Sequence, residues 1–221
     1  MKETLSGIDK ETRHLVRVAA AIAGAGEQKM RAVIDAAAGN VNPVAMDEVI
    51  LQSYLFAGFP RALNAARIWR SASGEMAPED DAAAELKNDS DWVKRGAETC
   101  RTVYGGSYEL LRENIRELHP ALDSWMIADG YGKVLSRPEL DLKTRELCIV
   151  AACAAAGQQR QLHSHLHGAL NSGASTDEIH GALDSLADLV APGDLARYRA
   201  ILSRVLTRRH PPGIMETGDV H

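Results

Sequence analysis

Apolar residues recur with helical spacing along most of the chain, and no segment has the alternating pattern that is typical of a strand. The clearest pattern lies between Asp141 and Gly173. Its first part is apolar on nearly all sides, which indicates a helix buried on most of its surface. Its second part, residues 158–171, is amphipathic, and Gly157 separates the two helices. The pattern predicts an all-α protein organised around this helix pair.

Two polar residues interrupt the apolar faces of this pair. Glu146 lies inside the apolar run of the first helix, and His165 falls within the leucine-rich stripe of the second. A carboxylate and an imidazole that meet in apolar surroundings are suited to proton transfer. Two structural alternatives remain open. His165 could be a core histidine that is hydrogen-bonded across helices, and Glu146 could form an ion pair with Arg13 or Arg145.

Start and stop signals divide the rest of the chain into further helices. Asn42 followed by Pro43 predicts a helix start, residues 58–60 predict a stop, and Ser175 with Glu178 forms a capping box for a helix from 176 to about 189. The small, acidic residues after position 70 predict a linker with a helical turn near 82–86. The predicted organisation is an N-terminal unit at 1–70, the linker at 71–90, a C-terminal unit at 91–207 and a disordered tail at 208–221.

The sequence also contains an internal repeat. The pattern TRxLxxVAA begins at Thr12 and recurs from Thr144, 132 residues later. His14 stands at the place of Glu146, and Val33 stands at the place of His165. We therefore expect a duplicated helical unit in which only the second copy carries the candidate chemistry.

Composition narrows the function classes. The net charge of −5 and the pI near 5.9 argue against a nucleic-acid surface. No apolar run is long enough for a membrane span or a signal peptide, so we expect a cytosolic protein. Three cysteines without a CxxC pair suggest reduced, buried thiols. His163 and His167 have metal-compatible spacing, but no third ligand accompanies them, so we expect no metal site.

Several segments resemble the carboxymuconolactone decarboxylase family, which also contains alkylhydroperoxidase D. The resemblance covers most of residues 10–70 and 107–206. Residues 48–60 are similar to the end of another family repeat. The motifs that carry the resemblance are YGKVLSRPELD from Tyr131, TREL from Thr144, and His165-x3-Ala169-x3-Gly173-x4-Glu178-Ile179.

The resemblance implies two tandem alkylhydroperoxidase D-like repeats that assemble as a ring-like homo-oligomer, a trimer or hexamer, with sites between copies. The peroxidase branch carries Glu-x11-Cys-x2-Cys-x3-His. Here Glu146 and His165 match that spacing, whereas Gln158 and Gln161 replace both cysteines. An amide cannot act as the thiolate nucleophile, so a thiol peroxidase is excluded at this site.

The remaining branch implies a lyase of aromatic catabolism that removes CO2 from a small carboxylated lactone without a metal or organic cofactor. His165 would donate a proton or stabilise an oxyanion, and Glu146 would orient it. Arg137 would anchor a substrate carboxylate, and Tyr131 in the matching segment would also contact the substrate. Arg137 could instead only cap a loop. A catalytically silent binding or scaffold protein is the alternative function.

Overall fold

The computed structural model describes residues 7–81 and 89–209, and within these ranges the secondary structure is helical, with no strand. The predicted all-α class is therefore confirmed. The helices are α1 Lys10–Gly24, α2 Glu27–Ala37, α3 Pro43–Ser73, α4 Asp89–Tyr104, α5 Tyr108–Leu118, α6 Pro120–Trp125, α7 Leu142–Ala155, α8 Gln159–Asn171, α9 Thr176–Asp184 and α10 Pro192–Arg209, with a short 3-10 turn Gly105–Ser107 and a π-helix Met126–Leu135.

Helix α7 is the buried centre of the molecule, as its apolar sequence predicts. Eleven consecutive residues of α7, Thr144 to Ala154, are buried. Helix α1 packs along one side of α7, and α8, α9 and the first part of α3 pack around it. Because a mostly apolar helix needs neighbours on every side, both halves of the chain contribute to covering α7.

Helices α1 and α7 begin in the same way. Asp9 caps α1 by accepting hydrogen bonds from the backbone nitrogen of Thr12, at 2.9 Å, and from its hydroxyl, at 2.7 Å. Asp141 caps α7 with the same pair of bonds from Thr144, at 3.0 and 2.7 Å. The starts of α1 and α2 also fall 132 residues before those of α7 and α8. The duplication itself stays a prediction, which these matched starts favour.

Helix α3 contains the stop that residues 58–60 predict. Asn42 caps its first turn through its side chain, and Pro43 is its first residue. Gly58 has φ 78° and ψ 162°, a conformation that glycine adopts far more readily than other residues. Pro60 follows at once and restarts the helix, so α3 is two helical segments joined at a sharp kink.

Other boundaries differ in detail from the sequence-based expectations. The capping box at Ser175 and Glu178 is present, but α9 ends at Asp184 rather than near residue 189. Helix α10 continues to Arg209. The turn expected at 82–86 and the tail from 210 onward lie outside the described residues. Among the helices that the structure describes, none combines the length and hydropathy needed to cross a bilayer.

Candidate active site

The structure brings Glu146 and His165 into direct contact. Glu146 projects from α7 with its side chain fully buried, and His165 projects from α8 with its side chain 8% exposed. Nδ1 of His165 lies 2.8 Å from Oε2 of Glu146. Arg145, one of the two arginines that could have formed an ion pair with Glu146, pairs instead with Glu48, at 2.7 Å. The two residues predicted from separate helices therefore form one buried carboxylate–imidazole pair.

The absence of a side chain at Gly168 makes this pair possible. Gly168 lies on α8 three residues after His165, where it faces Glu146. A Cβ atom there would be 2.4 Å from Oε2 of Glu146 and 2.7 Å from Cγ1 of Val103. Real Cβ atoms do not approach other atoms so closely. Glycine at this position therefore lets α8 pack closely enough for the carboxylate to reach the imidazole.

The hydrogen bond to Glu146 determines which histidine nitrogen is available for chemistry. When Glu146 is ionised and can only accept, Nδ1 of His165 carries a hydrogen and donates a hydrogen bond to the carboxylate. Nε2 is then the ring nitrogen that can exchange a proton with a bound molecule. The carboxylate also holds the imidazole ring in one orientation, as in hydrolase triads. The second carboxylate oxygen, Oε1, is buried without a hydrogen-bond partner among the described residues.

His165 lines a cavity of about 830 Å³. The residues that line it come from both halves of the chain: α3 contributes one wall, and α4, α5, α6, the π-helix and α8 contribute the rest. Phe56 contacts the His165 ring edge to face, with the ring centroids 5.9 Å apart. Most of the lining is apolar, and its polar groups include Tyr104, Arg160 and Gln161. Such a cavity suits a small, mostly apolar molecule with a few polar substituents.

Two tyrosines beside His165 add hydrogen-bond donors to the cavity. The Tyr104 ring centroid lies 6.5 Å from that of His165 and 6.2 Å from that of Tyr131. Burial raises the pKa of Tyr104 and that of Tyr131 above the usual value for a phenol. Both phenols therefore stay protonated at neutral pH and can donate to a developing oxyanion.

The structure does not place Arg137 with the other predicted site residues. Its guanidinium contacts Glu48, with Nη2 2.8 Å from Oε1, and Asp81, at 2.9 Å. Arg145, which is fully buried, pairs with the same Glu48 carboxylate. Arg137 does not line the cavity that contains His165. Its role as a substrate anchor stays a prediction, and it would require one of these ion pairs to open.

Sequence analysis missed several residues of the cavity. Phe56 and Tyr104 lie on α3 and α4, far from His165 in sequence, and they carry no local motif. Arg160 is one turn before His165 on α8 and reads as an ordinary exposed arginine. In the sequence, Gln161 stands out only because it replaces a cysteine of the peroxidase motif, but in the structure it also lines the cavity. Only the arrangement of the helices could reveal these neighbours.

Comparison with known proteins gives consistent matches. The sequence profile of the carboxymuconolactone decarboxylase family matches residues 121–201, which include Glu146 and His165. A 4-carboxymuconolactone decarboxylase from Acinetobacter baylyi is 30% identical over 93 residues, 42% of this chain and 69% of the relative.

Two yeast proteins named peroxisomal protein 2 also match. The protein from Schizosaccharomyces pombe is 31% identical over 137 residues, 61% of this chain and 63% of the relative. The protein from Saccharomyces cerevisiae is 24% identical over 169 residues, 65% of this chain and 59% of the relative. The chain therefore spans just under two thirds of the length of these yeast relatives.

Proposed function

Because the chain belongs to the carboxymuconolactone decarboxylase family, we propose that it is a lyase that decarboxylates a small carboxylated lactone, or carries out closely related chemistry, without a metal or organic cofactor. The observation that supports this function best is the buried Glu146–His165 pair beside the 830 Å³ cavity. A general acid, an orienting carboxylate and neutral donors are the groups that this reaction requires.

The proposed reaction breaks the bond between the ring and a carboxylate, which leaves as CO2. The electron pair of that bond delocalises into the unsaturated lactone and places negative charge on its carbonyl oxygen. Tyr104 donates a hydrogen bond to this oxygen, since its phenol stays protonated. Nε2 of the protonated His165 then delivers one proton to carbon, and Glu146 holds the ring in position through Nδ1.

Groups that could anchor the substrate lie along the first turns of α8. Arg160 is the guanidinium on the cavity lining, and Gln161 and Ser164 lie on the same part of the helix. Asp129 also lines the cavity, but its carboxylate pairs with Lys133 at 2.6 Å, which reduces its repulsion of an anionic substrate. We assign the substrate carboxylate to Arg160, with Tyr131 in the apolar wall. Arg137 remains the alternative anchor.

Turnover of γ-carboxymuconolactone, followed by CO2 release, tests this proposal. We expect His165→Gln and Glu146→Gln each to lower kcat by about 100-fold or more, because general acid catalysis contributes about 10²–10⁴-fold. His180→Gln is the matched control, since His180 is half-buried on α9 and lies outside the cavity. Thermal unfolding of each variant shows whether the fold is retained. Equal turnover by wild type and a folded His165→Gln protein would contradict the assignment.

The alternative function is a catalytically silent member of the family that acts as a scaffold. It is favoured by the two yeast relatives, whose names state a compartment and no reaction. A wild-type protein that neither binds nor converts carboxylated lactones would support it. Self-association as a trimer or hexamer is expected under both functions, and sedimentation velocity measures it directly. A cytosolic location also stays a prediction.

A further inference from the structure

A second cavity, of about 430 Å³, lies on the other side of the first turn of α8 from the cavity of His165. We call it the basic groove. Helices α8 and α10 form its walls, and its lining residues are Gln159, Arg160, His163, Ile201, Arg204 and Arg208. It contains three arginines and a histidine, with no acidic residue on its lining. A local cluster of this kind is unexpected in a chain whose net charge is −5.

The charges of the basic groove are not balanced by neighbouring carboxylates. Arg160, Arg204 and Arg208 are exposed, and none of them forms an ion pair with a carboxylate in the part of the chain that the structure describes. Arg197 and Arg199, which precede them on α10, pair with Asp194 and Asp184. Arg197 and Arg199 are thus neutralised by carboxylates, whereas the arginines inside the groove are available to a ligand. Arg209, the last residue of α10, lies outside the groove and donates to the side chain of Asn171.

The arrangement of these arginines on α10 is electrostatically unfavourable. Arg204 and Arg208 are four residues apart and therefore project from the same face of the helix, where like charges repel each other. Ile201 lies on that face one turn earlier and is half-buried, so the groove also offers an apolar surface. An anion bound between the two helices would relieve the repulsion, because guanidinium groups form paired hydrogen bonds with phosphate oxygens.

We propose that the basic groove is a binding site for the di- or triphosphate part of an organic ligand. Three guanidiniums match the several negative charges of a polyphosphate better than a single carboxylate. The volume also leaves room beside Ile201 for the carbon skeleton that carries the phosphates. Arg160 lines both the basic groove and the cavity of His165. A ligand in the groove therefore binds next to the proposed reaction site and shares one cation with it.

Isothermal titration calorimetry with sodium pyrophosphate tests the site, because pyrophosphate carries the proposed chemistry alone. We expect saturable binding to wild type that weakens as salt concentration rises. The double variant Arg204→Gln/Arg208→Gln should raise Kd by about tenfold or more, since it removes two charge-assisted contacts. The matched control is Arg197→Gln/Arg199→Gln, which removes the same charge from the same helix outside the groove. It should change Kd less than about twofold if the site is local.

Three outcomes would overturn the proposal. These are no binding of pyrophosphate to wild type, equal weakening by both double variants, and binding of citrate as tight as that of pyrophosphate. The substituted arginines are exposed, so these variants should remain folded. Thermal unfolding of each variant checks this. His165→Gln should still bind pyrophosphate with unchanged Kd. Failure of the lyase assignment and failure of the groove assignment can therefore be told apart.

Discussion

The substitution Gly168→Ala tests whether close packing between α7 and α8 holds the carboxylate–imidazole pair together. The added methyl group would lie 2.4 Å from Oε2 of Glu146 and 2.7 Å from Cγ1 of Val103. Two responses can relieve these contacts. Either α8 moves away from α7, or the Glu146 carboxylate rotates away from His165. Both responses lengthen or break the 2.8 Å hydrogen bond.

The expected change in stability is the difference between opposing effects. Overpacking a well-packed core costs about 1–3 kcal/mol. Loss of a hydrogen bond to a charged group costs about 1.5–3 kcal/mol when the partner stays buried. Alanine in place of glycine within a helix returns about 1 kcal/mol. We therefore expect Gly168→Ala to lower the free energy of unfolding by about 1.5–5 kcal/mol, whereas the helix effect alone would raise it.

Urea unfolding and lactone turnover measure the two consequences of this substitution. The control is Gly193→Ala in α10, where an added Cβ meets nothing within 4 Å. We expect the control to be as stable as wild type or slightly more stable, and Gly168→Ala to lose both stability and kcat. The reasoning is refuted if Gly168→Ala is as stable as wild type or more stable. In a double-mutant cycle with Glu146→Ala, the clash should appear as a coupling between the two positions.

Two further predictions concern groups outside the pair. Cys100, Cys148 and Cys153 are buried, and burial raises the pKa of each thiol to about 12. We therefore expect these thiols not to react with a thiol reagent at pH 8 until the protein is unfolded in urea. Rapid labelling of the native protein would contradict this. The hydrogen bonds from Arg112 hold the pKa of Asp123 below its usual value. The ionised Asp123 therefore stabilises the folded protein fully at pH values above the carboxyl pKa of the unfolded chain. This stabilisation disappears as the pH falls through the lower pKa that Asp123 has in the folded protein. Asp123→Asn should destabilise the protein by about 2–4 kcal/mol at pH 7, because the half-buried Arg112 guanidinium loses its carboxylate partner and keeps only its hydrogen bond to Tyr108. The loss should become progressively smaller in urea titrations at acidic pH, and a difference independent of pH would refute this.

The sequence predicted the start of a helix correctly where the residue that marks the start also caps it with a side-chain hydrogen bond. Asn42 and Ser175 each form the side-chain hydrogen bond that their positions predict. The π-helix at 126–135 was not foreseen, since its apolar pattern fits an ordinary helix. The early end of α9 was also missed, because residues 185–189 keep a helical composition while the chain turns.

The sequence predicted only part of the candidate site, because a periodic pattern marks a residue only when it contrasts with its own helix face. Glu146 and His165 each stand out as a polar residue on an apolar face, so sequence periodicity identifies them without knowledge of the fold. Phe56 and Arg160 carry no such contrast. Phe56 lies on α3 two residues before the kink at Gly58, and it meets His165 only because α3 packs beside α8. Arg160 is important because it lines both cavities. Such properties depend on how helices pack, which the pattern of a single helix does not encode.

The N-terminal half has a structural reason to persist even though it lacks the Glu–His pair. Helix α1 lies along α7 with Gly24 packed against the backbone of Ala155, so the first half covers the most apolar helix of the second within one chain. Residues 54–56 of α3 also form one wall of the cavity. Whether or not the two halves arose by duplication, the first half contributes surfaces that bury α7 and line the cavity, without a Glu–His pair of its own.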